Sequence, residues 1–64
     1  MKLKVNQKVK LITSVWGYEQ KIESNSIVTI EDIQVDEIGF YYKIKDQYSE
    51  IAYVRGNFIK TLDK

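Results

Sequence analysis

Cysteine, histidine and proline are all absent from this 64-residue chain, and glycine occurs only three times. Without cysteine there is no disulfide or thiolate metal site to reinforce a chain near the lower size limit for unaided folding. Without histidine the commonest general base and the commonest transition-metal ligand are missing. No stretch approaches the ~20 apolar residues of a membrane span. The N-terminal Met1-Lys2-Leu3-Lys4-Val5-Asn6 is charged and alternating, unlike the apolar centre of a signal peptide. These absences point to a cytoplasmic protein with no membrane association, no metal and no cofactor, and they argue against an enzyme. A chain of this size buries only roughly 60% of the surface its unfolded form exposes. One domain is expected over residues 1–64, with nearly every Val, Ile and Leu drawn into its core.

The signals present are those of strands. Lys8-Val9-Lys10-Leu11 alternates polar and apolar residues, as a half-buried strand does. Residues 13–26 mix turn formers with Trp16 and Tyr18 and keep no period, which fits a long loop or an irregular hairpin of two short arms. Ser26 to Ile30 is β-branched, but Ile33 and Val35 fall out of phase with Val28 and Ile30 by one residue. A bulge near Glu31-Asp32 restores that phase and bends the strand. Asp36 to Gly39 reads as a turn, Phe40 to Lys45 as a strand, Asp46 to Ser49 as a second turn, and Glu50 to Val54 as the returning strand. Arg55-Gly56-Asn57 breaks that strand with at most one helical turn, and Phe58 to Leu62 closes the chain. Gly56 is expected at positive φ. Five short strands fit a closed barrel better than an open meander, which would leave its edges unpaired. The expected core is Val9, Leu11, Val28, Ile30, Ile44, Val54 and Ile59, with Ala52 and Leu62 at its margin.

The C-terminal half carries a resemblance. Tyr41-Tyr42-Lys43-Ile44, the following hairpin, and the close Ala52-Tyr53-Val54-Arg55-Gly56-Asn57-Phe58-Ile59 together resemble the Src-homology-3-like small β-barrel family over residues 26–63. In the first half, Val9-Lys10-Leu11 matches a first strand, and the segment through Trp16 and Tyr18 resembles the family's long RT loop. The resemblance implies an all-β, five-stranded barrel with a long first loop and a short turn before the last strand. It also implies a binding module. In the family, an exposed aromatic, a proline and a tyrosine line grooves for polyproline ligands. Here those positions hold Tyr41, Arg55 and Phe58. An arginine fork in the proline position argues against a polyproline ligand while leaving a binding face intact.

Trp16, Tyr18, Tyr41, Arg55, Asn57 and Phe58 form the candidate partner-binding set, since Trp, Tyr and Arg are enriched at binding hot spots. The bland alternative is that Trp16 and Tyr18 plug the open end of the barrel. Lys2, Lys4, Lys8 and Lys10 recur at spacing two and would share one strand face. With Lys43 or Lys45 beside them, and Tyr41 to stack a base, they suggest nucleic-acid binding. The alternative is that these lysines protect an edge strand. Charge is uneven: residues 1–22 sum to +4 and residues 23–37 to −5, within a net charge of +1. A nonspecific DNA binder shows cationic excess over most of its surface. The acidic run Glu31, Asp32, Asp36, Glu37 lacks the order of a calcium loop and reads as a solvated hairpin or a patch for a basic partner. The expected function is therefore a non-enzymatic protein-interaction module acting as an inhibitor, adaptor or assembly subunit, with nucleic-acid binding as the alternative. The abundance of Ile, Lys, Asn and Tyr fits an AT-rich coding source such as a low-GC bacterium or its phage.

Overall fold

Alternation in the sequence becomes one dominant sheet. The computed structural model describes residues 3–62. Its elements in order are β1 (Lys8–Leu11), β2 (Val15–Trp16), β3 (Lys21–Ile22), β4 (Ile27–Val35), β5 (Phe40–Lys45), β6 (Ile51–Arg55), a 3₁₀ turn (Gly56–Phe58) and β7 (Ile59–Thr61). Five strands form an antiparallel sheet in the order β6-β5-β4-β1-β7, and β2 and β3 form a separate two-stranded arm. The described residues thus contain seven strands rather than five. The large sheet is not closed into the expected barrel: its edges are β6 and β7. Each edge is partly covered by the chain itself. The Tyr18 N–H donates to the Ile51 carbonyl at 3.1 Å, and the Ile12 N–H to the Phe58 carbonyl at 2.9 Å.

The bulge expected near Glu31 is present. Ile30 pairs with Ile44, but the next pair is Asp32 with Lys43, so Glu31 is the extra residue. The slip turns Asp32 outward and Ile33 inward against the core. It does not recover Val35, which stays 66% exposed because the β4–β5 hairpin runs past the end of the core. Asp residues fix the tight turns by accepting local backbone bonds. Asp36 Oδ1 accepts from the Ile38 and Gly39 N–H groups at 2.9 and 3.1 Å, and Asp46 Oδ1 from those of Tyr48 and Glu50 at 2.9 and 2.8 Å.

Val9, Leu11, Val28, Ile30 and Ile44 are buried on the inner face, joined by Ala52, Val54, Ile59, Tyr42 and Ile22. Burying one such aliphatic side chain contributes ~1.5–3 kcal/mol. Among the described residues no second large layer covers this face, and the β2–β3 arm supplies only Ile22 and Val15 to it. The sheet must therefore bend back over its own inner face, and the bulge in β4 serves that bend. Ile22 is a core residue that the aperiodic segment around it concealed. Leu62, expected at the core margin, is instead 41% exposed beyond the end of β7.

Gly56 also departs from expectation. Among the described residues Gly39 is the glycine at positive φ, at +147°. Gly56 sits in the 3₁₀ turn, and a Cβ there would make ordinary contact with the Tyr42 ring at 3.6 Å. The turn bends by 3₁₀ geometry, which any residue adopts, rather than by a left-handed residue. Left-handed backbone occurs instead at Asn6, Asn25 and Ser49.

Candidate functional site

Alternation along β5 and β6 puts Tyr41, Tyr53 and Arg55 on the outer face, opposite the buried Tyr42, Ala52 and Val54. The ladder pairs Tyr41 with Arg55 and Lys43 with Tyr53. The following 3₁₀ turn brings Phe58 alongside. Together with Asp36 and Val54 these side chains line an open groove of about 330 Å³. The Tyr41 and Tyr53 rings lie 6.1 Å apart, tilted by 55°, within the range of an attractive aromatic pair.

Arg55 is held from three sides. Its two Nη atoms donate to the two carboxylate oxygens of Asp36 at 3.0 and 2.7 Å, a bidentate pairing. Nη1 also donates to the Gly39 carbonyl at 3.3 Å, and the guanidinium lies 5.3 Å from the Tyr41 ring centre, in cation–π range. The Arg55 partnership, reinforced by the Ile38 and Gly39 N–H groups, holds the Asp36 carboxyl well below the usual carboxylate range. The same pairing raises Arg55. The Tyr18 hydroxyl beside Tyr53 pushes the Tyr53 phenol above the ordinary tyrosine value, with the nearby Tyr41 and Asp32 adding to it. The Tyr18 N–H bond to the Ile51 carbonyl sets this residue beside β6, outside the groove lining.

Of the six expected partner-binding residues, Tyr41, Arg55 and Phe58 line the groove and Tyr18 flanks it through Tyr53. Trp16 and Asn57 are exposed and lie outside its lining. Trp16 and Tyr18 are 76% and 70% exposed, so neither plugs the core. The arm that carries them is tied down by a residue the sequence gave no reason to single out. Glu50 is buried, and its Oε2 accepts from the Glu19 and Gln20 N–H groups at 2.5 and 3.2 Å. Gly17 packs directly on this carboxylate: a Cβ there would come within 2.8 Å of Glu50 Cδ.

Tyr53 and Asp36 were not among the expected partner-binding residues, and the apolar tip of the β4–β5 hairpin was not singled out. There Val35 faces Phe40 across the ladder, and both, with Ile38, are more than half exposed. Asp36 and Gly39, which grip Arg55, belong to the same tip. The acidic run is largely engaged within the molecule. Asp36 binds Arg55, Glu31 Oε2 lies 3.6 Å from Lys45 Nζ, and Asp32 accepts from the Ile33 N–H and the Gln34 side chain. Among the described residues, no three acids converge as a metal would require.

Lys8, Lys10, Lys43 and Lys45 fall on the same outer face as the groove, toward β1 and β4. Lys4 is not on β1: it lies before the turn at Asn6 (φ 75°), closed by the Gln7 N–H to the Lys4 carbonyl at 3.1 Å. Lys2 lies outside the described residues. No helix among the described residues is long and apolar enough to cross a membrane. No protein-family model, no curated protein and no solved structure matches the chain.

Proposed function

We propose that this chain is a small, all-β Src-homology-3-like module, its main sheet bent but not closed, that acts as a non-enzymatic, cytoplasmic protein-interaction module, and that its partner docks an extended peptide segment in the Tyr41–Tyr53–Phe58 groove. The observation that carries the proposal is the groove itself, lined by three aromatic side chains and the Arg55–Asp36 pair. Large aromatic area beside an ordered arginine is the composition of binding hot spots. Arg55 spends three donations on Asp36 and Gly39 and keeps further N–H groups for backbone carbonyls of a ligand. The exposed Val35, Ile38 and Phe40 at the Asp36 end extend the surface with apolar area suited to a protein partner. The irregular arm after β1, the bulge in β4 and the single 3₁₀ turn before β7 support the likeness to the Src-homology-3-like family in element order. A polyproline helix is disfavoured because the guanidinium of Arg55 occupies the Tyr41 face on which a ligand proline would pack.

The test is selection of a random-peptide display library on the wild-type chain with counter-selection on Tyr41→Ala. Expected binders perturb the amide signals of residues 36, 41 and 53–58 and lose at least ~2 kcal/mol of affinity against Tyr41→Ala or Phe58→Ala. Binders that perturb none of those residues, or that bind both variants equally, overturn the groove assignment. Enrichment of PxxP sequences overturns the exclusion of polyproline.

A further inference from the structure

Beyond the groove, the outer face carries a second feature with its own chemistry. Lys10 pairs in register with Ile27 on one side and with Lys60 on the other. Lys8 pairs with Thr29, which pairs in turn with Lys45, and Lys43 stands between Asp32 and Tyr53. The neighbours Val9, Leu11, Val28, Ile44 and Ile59 are buried on the inner face, so all five lysines belong to the outer one.

Protection of a sheet edge does not account for them. β1 is flanked by β4 and β7, and β5 by β4 and β6, so Lys8, Lys10, Lys43 and Lys45 sit on internal strands. Close ion pairing accounts for only one of them. Among the described residues, Lys45 with Glu31 is the one lysine ion pair, at 3.6 Å. The Asp32 carboxylate, next to Lys43, is engaged by Ile33 and Gln34. Lys8 reaches only the Thr29 hydroxyl, at 3.3 Å. Lys10 directly opposes Lys60, and like charges directly opposite on an antiparallel pair repel. A fold that needed only solubility could stagger these charges. The same face offers flat surface for stacking: Tyr53, in register with Lys43, is 49% exposed, and Ile27 beside Lys10 is 46% exposed.

We propose that the outer face of the sheet, from β7 through β1, β4 and β5 to β6, binds a single-stranded nucleic acid, with Lys8, Lys10, Lys43 and Lys60 on the phosphates and Tyr53 of β6 stacking a base. Lys8 and Lys10 lie two residues apart on one strand, a rise of ~7 Å, so they follow a backbone laid along β1. A duplex keeps its bases stacked inside and offers none to Tyr53.

The experiment is fluorescence anisotropy of the full chain with a labelled mixed-sequence single strand, its duplex and labelled heparin, across a potassium chloride series. The single strand is expected to bind at low salt and to weaken steeply as salt rises, with a slope of about −0.7 per phosphate engaged. Lys10→Ala should flatten that slope by about one such increment. Tyr53→Ala should weaken single-strand binding by several-fold to about a hundredfold while leaving the slope unchanged. Lys21→Ala, on the separate β3 arm, serves as control and should change neither. Lys10 and Lys21 are not buried, so the melting curves of their variants should match wild type, and because Tyr53 also packs against Tyr41, binding of Tyr53→Ala is read at a temperature where its own melt shows it folded. Absence of binding at low salt, equal affinity for the duplex, or a slope indifferent to Lys10→Ala overturns the proposal. Heparin binding as tight as the single strand, with no loss on Tyr53→Ala, reduces the face to a general polyanion surface and also overturns it.

Discussion

Two parts of the molecule display aromatic rings to solvent, and they are held in opposite ways. Tyr41 and Tyr53 stand on β5 and β6, each strand backed by the inner-face core, and Arg55 is clamped by Asp36 across the surface. Trp16 and Tyr18 stand on an arm whose strands are two residues long. That arm is anchored by Ile22 in the core, by the Tyr18–Ile51 backbone bond, and by the buried Glu50 carboxylate. The groove inherits its shape from the ladder. The arm depends on a few long-range attachments, so it should open at lower free energy than the sheet. A preformed groove binds without an ordering cost, whereas the arm adds contact only after it is fixed.

The most severe way to erase the difference is to remove the support common to both regions. Ile44 is fully buried beneath the groove strands, so Ile44→Ala should lose ~2–5 kcal/mol. That is comparable with the whole stability of a domain this small, at the low end of ~5–15 kcal/mol. Thermal melting should show collapse of arm and groove together. Survival of a cooperative, near-wild-type melt would mean that the core is not the common support.

A narrower change separates the two regions. Glu50→Ala leaves the Glu19 and Gln20 N–H groups without their carboxylate and should cost ~1.5–3 kcal/mol. Gly17→Ala attacks the same joint from the other side, because the new methyl group meets the buried carboxylate. In both variants, amide exchange should accelerate at Gly17 and Tyr18 while residues 41–45 stay protected. Equal loss of protection along β5 would show that the arm is part of the groove's own support.

This joint also marks where the sequence stopped being informative. The alternating strands, the Glu31 bulge, the Asp36 and Asp46 turns and most of the core depend on near neighbours, so their residues announce them. Glu50 sits in a polar turn, and nothing near it suggests burial. Its partners lie 30 and 31 residues away, on an arm without any period. Ile22 was hidden for the same reason. Half of the groove was legible because Tyr41, in the paired-aromatic strand, and Arg55 and Phe58, in the close, fall at the positions that line the family's groove. Tyr53 and Asp36 were not, since a groove wall is set by cross-strand register and by a hairpin folding toward β6. The lysine face shows the reverse case. Spacing suggested it, but only the strand order places β1 and β5 inside the sheet and removes edge protection as its explanation.

A third change acts on the groove and spares the arm. Asp36 has its carboxyl lowered in the folded state, so its contribution to stability is fully present above the ordinary aspartate value of ~3.9. It is lost as pH falls through the lower folded value. Asp36→Asn should remove that dependence at any pH by replacing the bidentate partner of Arg55. The measurement is the Tyr41 ring and Arg55 side-chain shifts of wild type and variant from pH 7 downward. The wild type should keep its shifts down through pH ~4 and drift toward the variant only well below that, where the lowered carboxyl protonates. Because the pair is at the surface, the melting temperature should change little. An Arg55 environment identical in the two proteins at pH 7 would show that Asp36 does not hold it.

The smallest effect expected is also the sharpest test of the arm. Trp16 is 76% exposed and lines neither the core nor the groove, so Trp16→Ala should move stability by no more than ~0.5 kcal/mol. Val28→Ala, at a fully buried position on β4, should cost several times as much. If Trp16 matters, it matters to a bound partner: affinity for a groove ligand should fall while the melt stays unchanged, and the loss should be smaller than for Tyr41→Ala. Equal melting of Trp16→Ala and Val28→Ala would mean that the indole packs onto the sheet in solution. The arm would then be a lid on the core rather than a display of aromatic surface, and the contrast between the two regions would disappear.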